Sequence, residues 1–269
     1  LLLANMITPI FLKGTGNLLA GIYEDIAERM VGDIDFIFST KDYPKAITVL
    51  LESGYAEVSE YKYHFPYQKH YGRLQKENNI AAVEIHSEIV GIEKYRKEFN
   101  YDFVAKDSQV INGVRVLSDA NKLNLSIIAN QINDSGFDYK TMALRNAYDV
   151  FLLSKKTSAM AAVQGLGKLS HPLHCFLAAC SEVFDNVESL AYTPTKKVSS
   201  YLHEFTDQFT NPKATQRHHK RIKRYLFIKT RAALLYKALL HKEYRVWLFH
   251  LLTDKNWYKR KLVQLGFKK

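Results

Sequence analysis

The fold class depends most on residues 11–39, which have the sequence FLKGTGNLLAGIYEDIAERMVGDIDFIFS. An apolar segment at residues 7–13 predicts a strand, the sequence GTG at residues 14–16 predicts a turn, and residues 17–26 have a helical pattern of apolar side chains. Residues 31–39 alternate well enough to predict a second strand. This order of strand, glycine turn, helix and strand predicts an α/β unit that can bind phosphate at its turn.

Two aspartates with one residue between them, Asp33 and Asp35, lie in the second strand. Side chains two positions apart in a strand share a face, so both carboxylates point the same way. A third predicted strand, residues 81–90, has Glu84 and His86 in the same relation. If the two strands are neighbours, three carboxylates converge, and such a cluster is usually stable only around a divalent cation. Oxygen ligands favour Mg²⁺ or Mn²⁺ over zinc.

The glycine turn predicts a phosphate-binding element beside these carboxylates. Gly14 and Gly16 let a ligand approach the backbone closely, and N–H groups at the start of the following helix can donate to phosphate oxygens. Thr15 adds a hydroxyl and another N–H. Two nearby cations, Lys13 and Arg29, either neutralise phosphate charge or are ordinary surface residues. The residues therefore predict a triphosphate at the turn and a metal ion at the carboxylates.

The second half of the chain is predicted to be helical. Residues 111–118 resemble a short strand or one arm of a hairpin, and the apolar spacing after them predicts helices at residues 121–133, 139–155, 171–190 and 198–209. Residues 210–224 are the best linker candidate, and basic helices follow over residues 222–265. The predicted domains are a catalytic domain, a helical domain and a basic helical tail, at residues 1–118, 119–212 and 213–269.

Three motifs resemble a known family, namely LKGTG after the first strand, GDIDFIF in the second and VEIHSE in the third. They resemble the uncharacterised nucleotidyltransferase family of the polymerase-β-type superfamily. The similarity continues more weakly through RNAYDVFLL, where Asp149 matches an Asp of the family, whereas Ala129 and Asn130 stand where a His is expected. It covers roughly residues 7–155. The resemblance implies an α+β fold, with a mixed sheet in an α/β head and a mostly helical domain after it.

The resemblance also implies a reaction, nucleotidyl transfer with two metal ions. In it Asp33 and Asp35 hold the metals and Glu84 supplies the third carboxylate. Gly14 and Thr15 position the nucleotide. The NMP, expected to be AMP from ATP, moves to a hydroxyl on RNA, protein or a small molecule. These residue types suit that chemistry, because one ion can orient the β- and γ-phosphates while the other lowers the pKa of the acceptor hydroxyl.

Two further residues have open roles. His86 lies beside Glu84 on the third strand, so it either contacts substrate or orients that carboxylate. Asp149 either belongs to the site or pairs with Arg145, four residues earlier on the same predicted helix. Both are therefore candidate substrate contacts with a structural alternative.

The positive charge of the chain is concentrated in its last part. The formal net charge is +11, and residues 213–269 have 17 Lys and Arg against two acidic residues. Basic and aromatic side chains alternate there, as they do in proteins that bind nucleic acids. RNA or another acidic partner is one prediction for this tail. An amphipathic helix on an anionic membrane and a helix docked on the protein itself are the alternatives.

The sequence predicts a soluble, cytoplasmic enzyme, because no run of about 18 apolar residues exists and no cleavable signal is visible at the start. The predicted activity is that of a Mg²⁺- or Mn²⁺-dependent nucleotidyltransferase. Two alternatives stay open. One is a catalytically inactive protein that binds nucleotide and nucleic acid, and the other is a component of a toxin or defence pair that acts through a protein partner.

Overall fold

The computed structural model describes residues 1–58, 65–66, 68–255 and 257–259. The strands in this part of the chain are β1 (Ile10–Phe11), β2 (Asp33–Ile37), β3 (Tyr55–Glu57), β4 (Leu74–Lys76), β5 (Ala82–His86), β6 (Gln109–Ile111) and β7 (Val114–Val116). They form one sheet in the order β3-β4-β5-β2-β1-β7-β6. The sheet is mixed, because β2 is parallel to β5 and antiparallel to β1.

Helices follow or interrupt the strands and dominate the second half of the chain. The α-helices among the described residues are α1 (Lys13–Leu19), α2 (Asp42–Glu52), α3 (Tyr101–Ala105), α4 (Asp119–Ile128), α5 (Gly136–Tyr139), α6 (Leu144–Ser154), α7 (Ala159–Val163), α8 (Ser170–Val183), α9 (Lys196–Thr210), α10 (Pro212–Leu240) and α11 (Lys242–Thr253). Short 3-10 turns lie between several of them, and a π-helical turn, Ala129–Asn133, continues α4. The mixed sheet with these helices confirms the predicted α+β fold.

The central strand β2 is held by apolar packing on both faces of the sheet. On one face, Phe36 and Phe38 pack with Leu50 of α2 in a buried cluster. On the other face, Ile37 belongs to the larger core that includes helices α4, α6 and α8. Because burial of a large apolar side chain contributes about 1.5–3 kcal/mol, this packing fixes the strand. The two aspartates precede Ile37 on the same face, so the core ends where the carboxylates begin.

The glycine turn predicted at residues 14–16 is helical in the structure, so that prediction was wrong. Gly14 and Gly16 lie in the first turn of α1, and their small size serves close packing. A Cβ at Gly16 would lie 2.7 Å from the carbonyl oxygen of Phe11, and one at Gly14 would lie 3.0 Å from the guanidinium of Arg29. The helix also starts and ends earlier than predicted, and Gly21 follows it with a φ of +61°.

The predicted linker at residues 210–224 was also wrong, because α10 runs without interruption from Pro212 to Leu240. A proline is tolerated at the first position of a helix, where its missing N–H has no intrahelical partner. The residues that follow are rich in Lys, Arg, Ala and Leu, which are strong helix formers. The basic segment is therefore helical, and the predicted extension of basic helix beyond residue 259 lies outside the described residues.

The segment at residues 111–118, predicted as a strand or hairpin arm, is the second half of a two-stranded hairpin. β6 pairs with β7 in antiparallel register, with Ile111 opposite Val114. Asn112 and Gly113 form the two-residue loop with φ values of +50° and +78°. Asn-Gly is favoured in such loops because both central residues need positive φ.

The chain divides into two compact units. The first comprises residues 1–58 and 69–218 and contains the whole sheet. The second comprises residues 59–68 and 219–269, and within it the ring of Phe65 lies 5.7 Å from that of Tyr244 and 5.0 Å from that of Trp247. The division into three domains at residues 118 and 212 stays a prediction. Among the described residues, no helix is both long and apolar enough to cross a bilayer.

Candidate metal and nucleotide site

Strands β2 and β5 are neighbours, as the convergence of the carboxylates requires. Their parallel register places Asp35 opposite Glu84, Asp33 opposite Ala82 and Ile37 opposite His86. Alternate residues of a strand share a face, so the two aspartates, Glu84 and His86 all project from the same side of the sheet. Two strands distant in the sequence therefore supply one polar surface.

Three of these side chains form a candidate metal site. The potential ligand atoms of Asp35, Glu84 and His86 all lie within 4.8 Å of one another. Nε2 of His86 is 2.8 Å from Oδ1 of Asp35 and 3.6 Å from Oε2 of Glu84. His86 is only 1% exposed, and its Nδ1 has no hydrogen-bond partner in the part of the chain that the structure describes. Two carboxylates beside one imidazole are a donor set that suits a divalent cation, without identifying the ion.

Asp33 lies on the same face of β2 but is paired differently. Its Oδ1 is 2.5 Å from a guanidinium nitrogen of Arg73, a half-exposed side chain. Burial raises the pKa of Asp33, and the nearby Glu84 and Asp35 carboxylates raise it further against the opposing effect of Arg73. Thr15 donates its hydroxyl to the backbone carbonyl of Asp33 at 3.2 Å. The structure thus places Asp33 within electrostatic reach of the cluster without placing it among the three grouped ligands.

Lys13 supplies a cation to this cluster. Its Nζ is 2.5 Å from Oδ1 of Asp35 and 3.8 Å from Oε2 of Glu84. Lys13 has a φ of +50°, a left-handed backbone that is strained for residues other than glycine, and it is the first residue of α1, where the helix dipole disfavours positive charge. The nearby His86 imidazole, with help from the positive charge of Lys13, holds the pKa of Glu84 far below its usual range.

A pocket of about 140 Å³ adjoins the cluster through Lys13. Four cations line it, namely Lys13, Arg29, Lys69 and Arg145. Burial, with the nearby charge of Lys13, lowers the pKa of Lys69. The other lining residues are Leu125, Ser126, Ala129, Asn133, Asp134, Asn146 and Asp149. A polar pocket with several cations can hold a multiply charged anion, because each phosphate oxygen can meet a positive partner.

Comparisons with known proteins identify the family of the chain. Residues 1–185 match the profile of a family described as an uncharacterised nucleotidyltransferase. The chain belongs to that nucleotidyltransferase family. A solved structure, JHP933 from Helicobacter pylori, is similar at 14% sequence identity and a TM-score of 0.37, covering 84% of this chain and 90% of that one. No curated protein matches the chain.

Membership confirms the family resemblance drawn from LKGTG, GDIDFIF and VEIHSE, and it supports a transferase class for this chain. The individual site residues stay predictions, and the structure gives their positions. Gly14, Thr15 and Gly16 lie at the start of α1, and the N–H of Gly16 already donates to the carbonyl of Leu12 at 3.0 Å. Lys13 and Arg29 both line the cation-rich pocket.

Asp149 pairs with Arg29, which corrects the predicted pairing with Arg145. Nε of Arg29 is 3.2 Å from Oδ1 of Asp149, and the hydroxyl of Tyr23 donates to the same oxygen at 2.6 Å. Both charged side chains are almost fully buried. Burial raises the pKa of Asp149 and of Tyr23. We call Tyr23, Arg29 and Asp149 the buried clamp, because it joins the segment before β2 to helix α6.

Two residues of the site were missed by sequence reasoning, Lys69 and Arg73. Both lie in an aromatic and His-rich segment with no clear period. The structure places Lys69 through backbone pairing, since the N–H groups of Ser87 and Glu88 each donate to its carbonyl at 2.9 Å. His70 then bridges to His86. The available signal was the presence of two cations shortly before the VEIHSE strand.

The π-helical turn Ala129–Asn133 lines the pocket where the family resemblance led us to expect a His. Ala129 and Asn133 face the pocket, whereas Asn130 is buried and accepts a hydrogen bond from Gln131 at 2.9 Å. Single π-helical turns inside α-helices are frequent at functional sites. At this turn the pocket wall therefore has small and amide side chains in place of an imidazole.

Proposed function

We propose that this protein is a divalent-metal-dependent nucleotidyltransferase that moves NMP, with ATP as the expected donor, from an NTP to a hydroxyl acceptor. The proposal uses Mg²⁺ or Mn²⁺ at Asp33, Asp35 and Glu84. It places the triphosphate in the pocket lined by Lys13, Arg29, Lys69 and Arg145.

One observation supports the proposal most directly: a cluster of carboxylates lies beside a pocket lined by cations. Asp35 and Glu84 are opposite each other on parallel strands, with ligand atoms close enough for one ion. The adjoining pocket has four cations. A triphosphate with its metal has the complementary pattern, because anionic oxygens meet the cations and the metal meets the carboxylates.

The proposed reaction is an in-line displacement at the α-phosphorus. The acceptor oxygen forms a bond to this phosphorus, while the bond to the oxygen that bridges the α- and β-phosphates breaks. Pyrophosphate leaves, and the acceptor proton goes to water or to Glu84. When bound, divalent ions would stabilise phosphate charge and lower the pKa of the acceptor hydroxyl.

The chain's own residues have distinct parts in this proposal. When the nucleotide binds, the ammonium group of Lys13 leaves Asp35 and pairs with the β- and γ-phosphates. His86 keeps Asp35 oriented through the 2.8 Å contact, and it is too buried to act on a large acceptor. Gly14, Thr15 and Gly16 form the start of α1, where the proposal places the phosphates. Asp149 acts through Arg29 by fixing that guanidinium at the pocket wall.

A non-catalytic nucleotide-binding protein is the second candidate. The observation in its favour is the Lys13 ammonium at the carboxylate cluster, because a cation that already neutralises Asp35 competes with a metal ion. Such a protein would bind NTP in the cation-rich pocket without turnover. The two candidates therefore differ in whether nucleotide binding leads to release of pyrophosphate.

The test is an incubation with each of four α-labelled nucleotides, ATP, GTP, CTP and UTP, with Mg²⁺ or Mn²⁺ and with total RNA or cell extract. We expect label in an acceptor fraction and pyrophosphate in the supernatant for the wild type. The variant Asp33→Asn/Asp35→Asn should transfer none. The matched control Glu52→Gln/Glu77→Gln removes two charges from exposed carboxylates of the same unit and should transfer normally.

Two results would reject catalysis. One is the absence of label from every nucleotide, and the other is equal labelling by the wild type and the double aspartate variant. If calorimetry then shows that the protein binds NTP, the non-catalytic candidate is the correct one. Metal density between the carboxylates in crystals soaked with nucleotide and Mn²⁺ is the independent structural check.

A further inference from the structure

Helix α10 has a run of exposed cations that its own fold does not use. From residue 219 to its end the helix has seven Lys and Arg and no acidic residue, and α10 as a whole has no Asp or Glu. Six of these seven cations are exposed, and four of the six, Lys220, Arg221, Arg224 and Arg231, share one side of the helix. At 100° per residue they lie within an arc of about 100° on one side of the helix. We call these four residues the cation stripe.

The stripe opposes helix stability. Lys220 and Arg224 are four residues apart, and Arg221 and Arg224 are three apart, so like charges face each other along the helix. Such pairs destabilise a helix, whereas an acid four residues away would stabilise it. None of the four makes an ion pair with a residue that the structure describes. A helix face selected only for solubility would intersperse both signs of charge.

Aromatic rings continue the same surface. Tyr225 and Phe227 are 53% and 57% exposed, far more than packed rings. The guanidinium of Arg231 lies 3.8 Å from the centre of the Phe227 ring, and Nζ of Lys229 lies 5.3 Å from the centre of the Tyr225 ring. Cations bind phosphates and exposed rings stack on unpaired bases, the combination used to bind single strands without sequence preference.

We propose that the cation stripe with Tyr225 and Phe227 binds an unpaired RNA strand, and that this RNA is the hydroxyl acceptor of the proposed nucleotidyl transfer. The stripe spans about 16 Å along the helix axis at 1.5 Å per residue, which suits several consecutive phosphates. The same face of α10 also exposes Ile228, Leu235 and Leu239, so an anionic membrane is the competing occupant, and the vesicle measurement below decides between the two.

The acceptor part of this inference rests on the proposed function, whereas RNA binding does not. Binding is therefore measured without nucleotide or metal, on the full chain, by fluorescence anisotropy of a labelled unpaired 20-nucleotide RNA between 50 and 200 mM salt. We expect the affinity to fall with salt, with a slope of about −0.7 for each phosphate neutralised.

The decisive variant is Lys220→Gln/Arg221→Gln/Arg224→Gln/Arg231→Gln. We expect it to bind RNA at least tenfold more weakly at 50 mM salt and to reduce the slope by about 3. The matched control is Lys41→Gln/Lys45→Gln/Lys106→Gln/Lys168→Gln, which removes the same charge from exposed lysines elsewhere and should bind normally. Circular dichroism of both variants checks that the helices persist.

The rings are tested separately. Tyr225→Ala/Phe227→Ala should weaken binding of the unpaired strand about tenfold with an unchanged salt slope, and should affect a fully paired duplex less. Equal binding by the stripe variant and the lysine control would overturn the proposal. So would stronger binding to vesicles containing phosphatidylserine, with no competition by RNA.

A further comparison separates this inference from the proposed function. The variant Asp33→Asn/Asp35→Asn should bind RNA as the wild type does, because the stripe is intact. If the stripe variant loses RNA binding but the wild type transfers no label to RNA, the surface stands and the acceptor assignment fails. If label reaches RNA equally well in the stripe variant, the inference fails while nucleotidyl transfer stands.

Discussion

Two carboxylates of the same unit are each paired with a cation, and the surroundings of the two pairs differ. Asp35 pairs with Lys13, whose side chain is 28% exposed and lies at the edge of a pocket. Asp149 pairs with Arg29, whose side chain is 8% exposed and which also donates to the carbonyl of Met30 at 2.6 Å. The first cation can leave its partner for another anion, whereas the second is fixed.

The two carboxylates also differ in how fully their neighbours occupy them. Around Asp35, the side chains of Glu84 and His86 each add a potential ligand atom beside the oxygen that Lys13 contacts. Around Asp149, the Arg29 guanidinium and the Tyr23 hydroxyl meet the carboxylate directly, and Asn17 lies 3.4 Å from that hydroxyl. An excess of ligands suits exchange between a lysine and a metal ion, and a closed set suits a structural contact. We therefore expect chemistry at the Asp35 network and structural support from the Asp149 network.

The largest expected effect is the loss of activity in Asp35→Asn. The amide cannot provide the negative charge that a divalent ion needs, so we expect transfer to fall at least about 1,000-fold, or about 4 kcal/mol in activation free energy. The melting temperature should change little, because the Lys13 side chain is 28% exposed and keeps Glu84 as a second partner. The measurement is initial rate with labelled NTP, beside thermal unfolding. Unchanged activity would remove Asp35 from the proposed metal site.

The next effect is on stability and comes from the buried clamp. Asp149→Asn leaves the Arg29 guanidinium buried beside a neutral group, which we expect to lower the free energy of unfolding by about 3 kcal/mol. Urea unfolding measures it. The double variant Arg29→Met/Asp149→Leu should recover most of the loss, because no uncompensated charge remains. If the double variant is as unstable as the single one, the pair is not the source of the loss.

Local periodicity in the sequence predicts the part of the site that lies within a single strand. The alternation in GDIDFIF and VEIHSE indicates which carboxylates share a face within each strand. It does not pair the strands, and only the observed register brings Asp35 opposite Glu84. The Arg29–Asp149 contact joins residues 120 positions apart, and no local pattern specifies it. Local spacing therefore indicates Arg145 as the partner of Asp149, whereas the partner in the structure is the distant Arg29.

Glycine was the other source of error. Gly14 and Gly16 predict a turn because glycine is common in turns, yet here they allow α1 to pack closely against the Phe11 backbone and the Arg29 side chain. Lys69 and Arg73 lack any periodic signal, so their approach to the site depends on pairing with β5 and β2 that only the fold provides. The α+β class was predictable because it depends on the order of elements and not on such contacts.

Lys13→Met tests whether the first pair is exchangeable. Removal of the ammonium leaves Asp35 and Glu84 unneutralised, so in the absence of nucleotide we expect Mn²⁺ to bind about tenfold more tightly, or about 1.4 kcal/mol. With NTP present, the KM for the nucleotide should rise because a pocket cation is lost. Titration calorimetry with Mn²⁺ measures the first effect. Lys13→Arg keeps the charge and should not tighten metal binding. Weaker Mn²⁺ binding by Lys13→Met would show that Lys13 supports the cluster and does not compete with the ion.

The smallest effect is expected at Arg73, whose ion pair with Asp33 is the most exposed of those at the site. A half-exposed pair contributes about 1 kcal/mol or less, so Arg73→Ala should leave stability nearly unchanged. Asp33 would then be free of its guanidinium partner, and we expect Mn²⁺ affinity to rise about threefold if Asp33 joins Asp35 and Glu84 as a ligand. The same substitution in an Asp33→Asn background should have no such effect, because no carboxylate is released. If Mn²⁺ affinity rises equally in both backgrounds, the rise comes from the general loss of a positive charge. Asp33 would then be excluded from the metal site.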